Sequence, residues 1–417
     1  MGKGKTTMPK RRPVERRRHL YLVFDDWSGG YSIRKIDLLG DHWRPPLVPV
    51  GTPEGPVFTG MFTLPVASLR FEAPRGEPRC FAAFGSKIMA FHPTKDSGFA
   101  PGATIYDVGT RCLSYGPKTW PDRVNPTYIP VGDRLFVLDA GSFEVLNPLQ
   151  PYGDPNRDSS ASAWAWSKLP APIFHCDHVT AYAMHPDGRT FFVSIGGDAA
   201  PATFSLDTVE PVAKEDWKWE LRGKWKLPFT GRAYYVRELD AWVGLSGDPS
   251  TIGRLCSCNV VPTNSHSADT IGQQQCPAMK FSKEKLFSEV RGENHIGANL
   301  VYLGHERKFC LLECISIQAD LPEKLTDSDE TNGESGVEVV ELPYVDDLCE
   351  DSSDDANEDS DDEVNKDWYR LFRLTAFSPQ YDKNGDLTIG ISGWYRYYNM
   401  PQEVSQSMFE CPVAFWM

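Results

Sequence analysis

Apolar runs and polar turns follow one another along this chain in a plan that recurs six times. An apolar strand leads to a tight polar turn carrying a charge. A second apolar strand, an aromatic-x-apolar-Asp strand and a Trp near Leu-Pro follow. The clearest copy has apolar residues 181–184, the turn Asp187-Gly188-Arg189, the run 191–194, then Phe204-Ser205-Leu206-Asp207 and Trp225-Lys226-Leu227-Pro228. The first copy is a hairpin, 20–24 and 31–36 around Ser28-Gly29-Gly30, with a second pair expected at 61–64 and 68–71. Copies two, three and five turn at Gly85-Ser86-Lys87, Gly132-Asp133-Arg134 and Glu238-Leu239-Asp240. The sixth turns around 304–308 and resumes at 369–374.

Measured between Lys87, Arg134, Arg189, Asp240 and Lys308, the spacings are 47, 55, 51 and 68 residues. Four-stranded propeller blades repeat every ~40–50 residues, longer intervals being loop insertions, whereas a β-sandwich gives no such period. One such unit cannot bury both faces of its strands, so copies must stack around a shared core. The expectation is an all-β protein, a β-propeller of six blades, with five or seven as the alternatives. Its one helical stretch is expected at 282–290, behind the capping Ser282. Trp120, Trp166, Trp219, Trp225 and Trp242 read as packing anchors between blades.

Charge divides the chain further. The net charge is −14, yet 17 Asp and Glu fall between Asp327 and Glu363, where no Lys or Arg occurs. Without them the body is near neutral. Residues 1–18 carry eight Lys or Arg against the single Glu15. The expected organisation is a disordered basic tail (1–18), a propeller (19–398) with a disordered acidic insertion in its last blade (322–367), and a C-terminal tail (399–417) packed on the body. The first strand is expected to complete the last blade. Ten cysteines, several inside apolar runs, fit reduced thiols in the cytoplasm or nucleus. No apolar run reaches the ~18–20 residues that span a bilayer.

Candidate chemistry is sparse. His175-Cys176-Asp177-His178 tempts a metal assignment, but on an extended strand the four alternate between faces. Cys256, Cys258, Cys276 and His266 lack the paired knuckles of structural zinc. Asp382-Lys383-Asn384-Gly385-Asp386 resembles the start of a calcium loop, but the sixth and twelfth positions are Leu387 and Gly393, so it reads as a hairpin turn. No nucleophile elbow, dinucleotide fingerprint or catalytic triad order emerges, and no metal or other cofactor is expected. Lys10, Arg11, Arg12, Arg16, Arg17 and Arg18 fit an import signal, and Gly2 fits the loose myristoylation pattern. Thr326, Ser352 and Ser360 each precede an acidic residue by three positions and suit acidophilic kinases.

Gly196-Gly197 with Phe204, Trp217 and Trp219 resembles the kelch signature, so the expected propeller is kelch-like. The segments HLYLVFDDWSGGYSIRKIDL, HPDGRTFFVS, LPFTGRAYYVRELDAWVGL and YDKNGDL together resemble an uncharacterised plant family, expanded in grasses and known as a domain of unknown function. The resemblance covers most of residues 19–395 and implies a propeller similar to kelch and F-box-associated ones, with no catalytic residue to carry over. The expected function is a monomeric, noncatalytic scaffold that binds a protein or peptide through one end of the ring. The alternative is an enzyme, a hydrolase or oxidase, with its site in the central channel. Nucleic acid is expected to bind only weakly, through the basic tail.

Overall fold

The computed structural model describes residues 18–38, 61–92, 102–117, 123–140, 142–147, 164–209, 217–263, 275–304, 307–318 and 368–417. The strands β1 (Leu20–Trp27), β2 (Gly30–Ile36), β3 (Met61–Phe62) and β4 (Ala67–Glu72) come first. Five antiparallel meanders follow. They are β5 (Phe81–Phe84), β6 (Lys87–Ala90), β7 (Thr104–Asp107), β8 (Cys112–Tyr115); then β9 (Thr127–Val131), β10 (Arg134–Asp139), β11 (Ser142–Asn147), β12 (Ala165–Lys168). Next come β13 (Val179–Met184), β14 (Thr190–Ile195), β15 (Ala202–Asp207), β16 (Glu220–Gly223); then β17 (Gly231–Val236), β18 (Ala241–Leu245), β19 (Arg254–Asn259), β20 (Met279–Lys285). The last holds β21 (Glu293–Tyr302), β22 (Phe309–Gln318), β23 (Trp368–Tyr381) and β24 (Leu387–Asn399). A short helix, α1 (Gln406–Glu410), leads into β25 (Val413–Trp416). The described strands thus group into six four-stranded units, the first ordered β25-β1-β2-β4.

Why the middle strands are apolar without a break is visible in their packing. In β10, Leu135 and Val137 join the core shared with the second unit, while Phe136 and Leu138 join the core shared with the fourth. In β14, Phe191 and Val193 face the third unit and Phe192 faces the fifth. Both faces of these middle strands are therefore buried, and alternation gives way to continuous hydrophobicity. Every apolar cluster of appreciable size straddles neighbouring units: second with third, third with fourth, fourth with fifth, fifth with sixth. The largest joins the sixth, first and second. A core shared all the way round, including from last to first, is the arrangement of a β-propeller.

The turn charge of the repeat has a partner. Lys87 Nζ lies 3.1 Å from Asp107, and Arg189 Nε lies 3.4 Å from Asp207, so the charge binds the Asp that ends the third strand. The turns after the first strand need a left-handed residue. Gly132 takes φ +59°, and the fifth unit uses Asp240 at φ +46°, held by a hydrogen bond from the Tyr235 hydroxyl (2.9 Å).

Several expectations are corrected. Residues 399–417 do not lie outside the ring: β25 pairs with β1 (Leu20↔Trp416 to Val23↔Val413), so the last strand completes the first unit. A strand finds its partner through unpaired backbone groups, and β1 offered a free edge. Residues 61–64 and 68–71 are no hairpin, since β3 adds in parallel to β24 while β4 pairs with β2. The stretch 282–290 begins in β20, because pairing with β19 overrides its helical composition. In the fourth unit the outer strand is β16, and Trp225 turns inward beyond it. Trp166, Trp219, Trp225 and Trp242 lie in or against the inter-unit cores, while Trp120 lies outside the described residues. No described helix is long and apolar enough to cross a membrane.

Candidate functional site

The innermost strands β25, β5, β9, β13, β17 and β21 surround a central channel. Cavities of about 400 and 490 Å³ open at one end, where these strands begin, and one of about 330 Å³ at the other, where they finish. Arg232 and Phe415 line all three. Arg79 lines both cavities of the first end, and Arg18 lines that of the second.

The channel wall follows from strand alternation. β13 and β17 pair in parallel with Tyr182 opposite Arg232. Their neighbours Ala181, Ala183 and Ala233 face away, fully buried in the core between the fourth and fifth units. Small side chains let the two strands approach, and the large polar ones are left to the channel. The Arg232 guanidinium stands 4.7 Å from the centre of the Tyr234 ring, whose hydroxyl donates to the Leu300 carbonyl (3.1 Å). Burial pushes the Tyr182 and Tyr234 phenols up, with the Arg232 charge opposing it. At the mouth, Arg79 donates to Asn125 Oδ1 (2.6 Å), and Glu410 and Cys411 are exposed.

Two other polar clusters are structural. Fully buried Glu313 accepts from Arg373 (2.5 Å) and the Ser288 amide (3.0 Å), with His295 Nδ1 3.0 Å away. His295 stacks on Phe287 at 3.7 Å, so the network fixes the crossing from β20 to β21. Asp25, also fully buried, accepts from the Gly76 amide (3.0 Å) and the Ser405 amide (2.9 Å), tying β1 to the segments beside α1.

Of the sequence candidates, Arg18 is exposed beside the second mouth, and Gly2, Lys10, Arg11, Arg12, Arg16, Arg17, Thr326, Ser352 and Ser360 lie outside the described residues. His175–His178 is not an extended strand. Cys176–His178 form a 3-10 turn, with His175 Nδ1 3.5 Å from Asp177 and the two imidazoles 5.7 Å apart. Among the described residues no three His, Cys, Asp or Glu converge as a metal site would require. Asp382 closes its turn by accepting from the amides of Asn384 (2.8 Å) and Asp386 (2.9 Å) and pairs with Lys283 (2.8 Å). Sequence reasoning missed Arg232 and Tyr182. The available signal was the small–large alternation Ala181-Tyr182-Ala183 and Arg232-Ala233-Tyr234.

Strand pairing, a core shared around the ring and a central channel make this protein a β-propeller. More particularly, the chain belongs to the family described as "Protein of unknown function (DUF1668)", which matches residues 17–397. No curated protein matches it in sequence. Among solved structures, the Kuenenia stuttgartiensis hydrazine synthase is similar at 12% identity, with 78% of this chain and 68% of that chain covered and a TM-score of 0.29. The β-propeller domain of Cps50 (Swd1) from Myceliophteria thermophila is similar at 16% identity, covering 60% of this chain and 67% of that one, with a TM-score of 0.28. Likeness at that level carries no argument, and the fold rests on the pairing and packing described above.

Proposed function

We propose that this chain is a noncatalytic recognition module, a six-bladed propeller of kelch-like kind that binds a protein or peptide partner at the Arg79 end of its channel. The observation that supports this most is what that end presents. Val124, next to the Asn125 that Arg79 bonds, and Ile173, Ile252 and Tyr369, each more than half exposed, sit on loops or strand ends at that end. Aromatic and aliphatic anchors beside an arginine are what protein contacts use. β22 ends and β23 begins at the same end. Within the channel, guanidinium groups and phenols raised by burial keep their protons near neutral pH, which favours binding over acid–base chemistry.

The test is capture of partners by full-length protein and by a form lacking 326–367, followed by hydrogen exchange on the complex. Protection is expected in peptides covering 123–126, 171–178, 248–253 and 405–412. No reproducible partner with either form, or protection confined to the opposite end, would overturn the reading. The tail fits the same picture as an address: Lys10, Arg11, Arg12, Arg16, Arg17 and Arg18 direct the protein to the nucleus. Replacing all six with Ser in a fluorescent fusion is expected to leave it cytoplasmic; unchanged nuclear signal would contradict that role.

A further inference from the structure

Arg232 is a fixed charge without a carboxylate counterpart among the described residues. Among the described residues, seven other buried or half-buried arginines find an oxygen: Arg34 has Asp26, Arg123 has Glu144, Arg222 has Glu220, and Arg373 has Glu313. Arg134, Arg254 and Arg370 bond to the carbonyls of Thr208, Ser282 and Val404. Among the described residues Arg232 has no hydrogen bond and no ion pair, only the face of Tyr234. The Tyr182 hydroxyl, on the residue directly opposite, likewise has no hydrogen-bond partner among them. A guanidinium does not discard its proton, and its planar fork matches two oxygens of one oxyanion. The charged side chains lining the three cavities are Arg18, Arg79 and Arg232 against Glu410 alone, on a chain whose net charge is −14. Cavities of about 400 and 490 Å³ suit a small ligand.

We propose that the central channel is a binding site for a small oxyanion, a carboxylate or phosphate group, held by the Arg232 guanidinium with the Tyr182 hydroxyl as second donor. The anion enters past Arg79, and Phe415 supplies an apolar wall. This site goes beyond the partner-binding reading and stands without it, since it is tested on the protein alone.

The experiment is isothermal titration calorimetry of the full-length protein with inorganic phosphate and, separately, succinate, at low ionic strength in a buffer free of both groups. Saturable binding of one equivalent is expected for at least one probe, and which one identifies the anion. Arg232→Gln is expected to weaken it roughly ten- to hundredfold, the range for losing a charged hydrogen bond. Tyr182→Phe, which removes one hydroxyl and leaves the ring in place, is expected to weaken it about three- to tenfold. The same titrations on the form lacking 326–367 are expected to show equal or tighter binding, still dependent on Arg232. Absence of saturable binding by both probes in both forms would overturn the proposal. So would wild-type affinity in folded Arg232→Gln and Tyr182→Phe proteins. Partner capture by the same variants reports on the other reading separately.

Discussion

Asp25 holds together three segments that are distant in sequence, and its removal is the sharpest perturbation of the ring. Its carboxylate is fully buried and accepts from the amides of Gly76 and Ser405, at 3.0 and 2.9 Å. Arg75 Nε stands 3.8 Å away, and Arg75 also donates to the Asp25 carbonyl (2.8 Å) and to the Glu403 carbonyl. In Asp25→Ala both amides lose a charged acceptor in a place that water reaches poorly. At about 1.5–3 kcal/mol for each hydrogen bond to a charged group, the expected loss is roughly 3–6 kcal/mol. Asp25→Asn keeps one acceptor oxygen but turns an NH2 toward the other amide, so it falls between wild type and alanine. Equilibrium unfolding in urea, followed by tryptophan fluorescence, measures both. Limited proteolysis is expected to cut the alanine variant first near residues 399–412, where the tie to α1 is lost. A cost below about 1 kcal/mol for Asp25→Ala would refute the role assigned to this carboxylate, since so little is the worth of a solvated surface contact.

Three further outcomes follow from the packing. Trp242 is fully buried, 5.0 Å from Phe192, and donates to the Met184 carbonyl (2.7 Å), so Trp242→Ala is expected to cost about 3–5 kcal/mol and Trp242→Phe distinctly less; equal urea midpoints for the two would contradict this. Burial among Tyr31, Phe71 and Phe81 lowers the His92 imidazole from 6.5 to about 4. The unfolded chain takes up that proton first, so stability falls as pH drops from 6.5 toward 4, by roughly 3 kcal/mol at most. His92→Phe is expected to flatten that slope in urea midpoints read across the window, and an unchanged slope would count against it. Burial pushes the Cys256 and Cys310 thiols up to about 12 and also raises Cys314 and Cys258, whereas Cys112, Cys276 and Cys411 are exposed. Native maleimide labelling is expected to modify Cys112, Cys276 and Cys411 and to spare Cys256, Cys258, Cys310 and Cys314 until urea unfolds the chain; prompt labelling of Cys310 would contradict the core.

The propeller was legible because its signals are local. A run such as Phe191-Phe192-Val193 carries the information that both faces are covered, and the turn charge with its Asp marks where the second strand starts beside the end of the third. What the sequence hid is non-local or ambiguous in pattern. β25 is four residues behind Pro412, with no turn signal, and its partner β1 lies at the other end of the chain. Residues 282–285 carry helix-forming side chains, yet their pairing with β19 decides their conformation. Within His175–His178 the expected alternation failed because three residues curl into a 3-10 turn before β13. Arg232 looked like any polar residue on a half-buried strand. Only the parallel pairing of β13 with β17 shows that its side of the strand faces a channel.

Closure of the ring by its own C-terminus is the claim on which the channel and both its mouths depend, and backbone hydrogen exchange reads it directly. Val413–Trp416 pair with residues 20–23 of β1, flanked by reciprocal bonds between His19 and Met417 (2.6 and 3.0 Å). Paired amides of β25 are expected to exchange as slowly as those of β1 and to lose protection together with them as urea rises. Exchange of the 413–417 amides at the rate of an unstructured peptide, while β1 stays protected, would contradict the account.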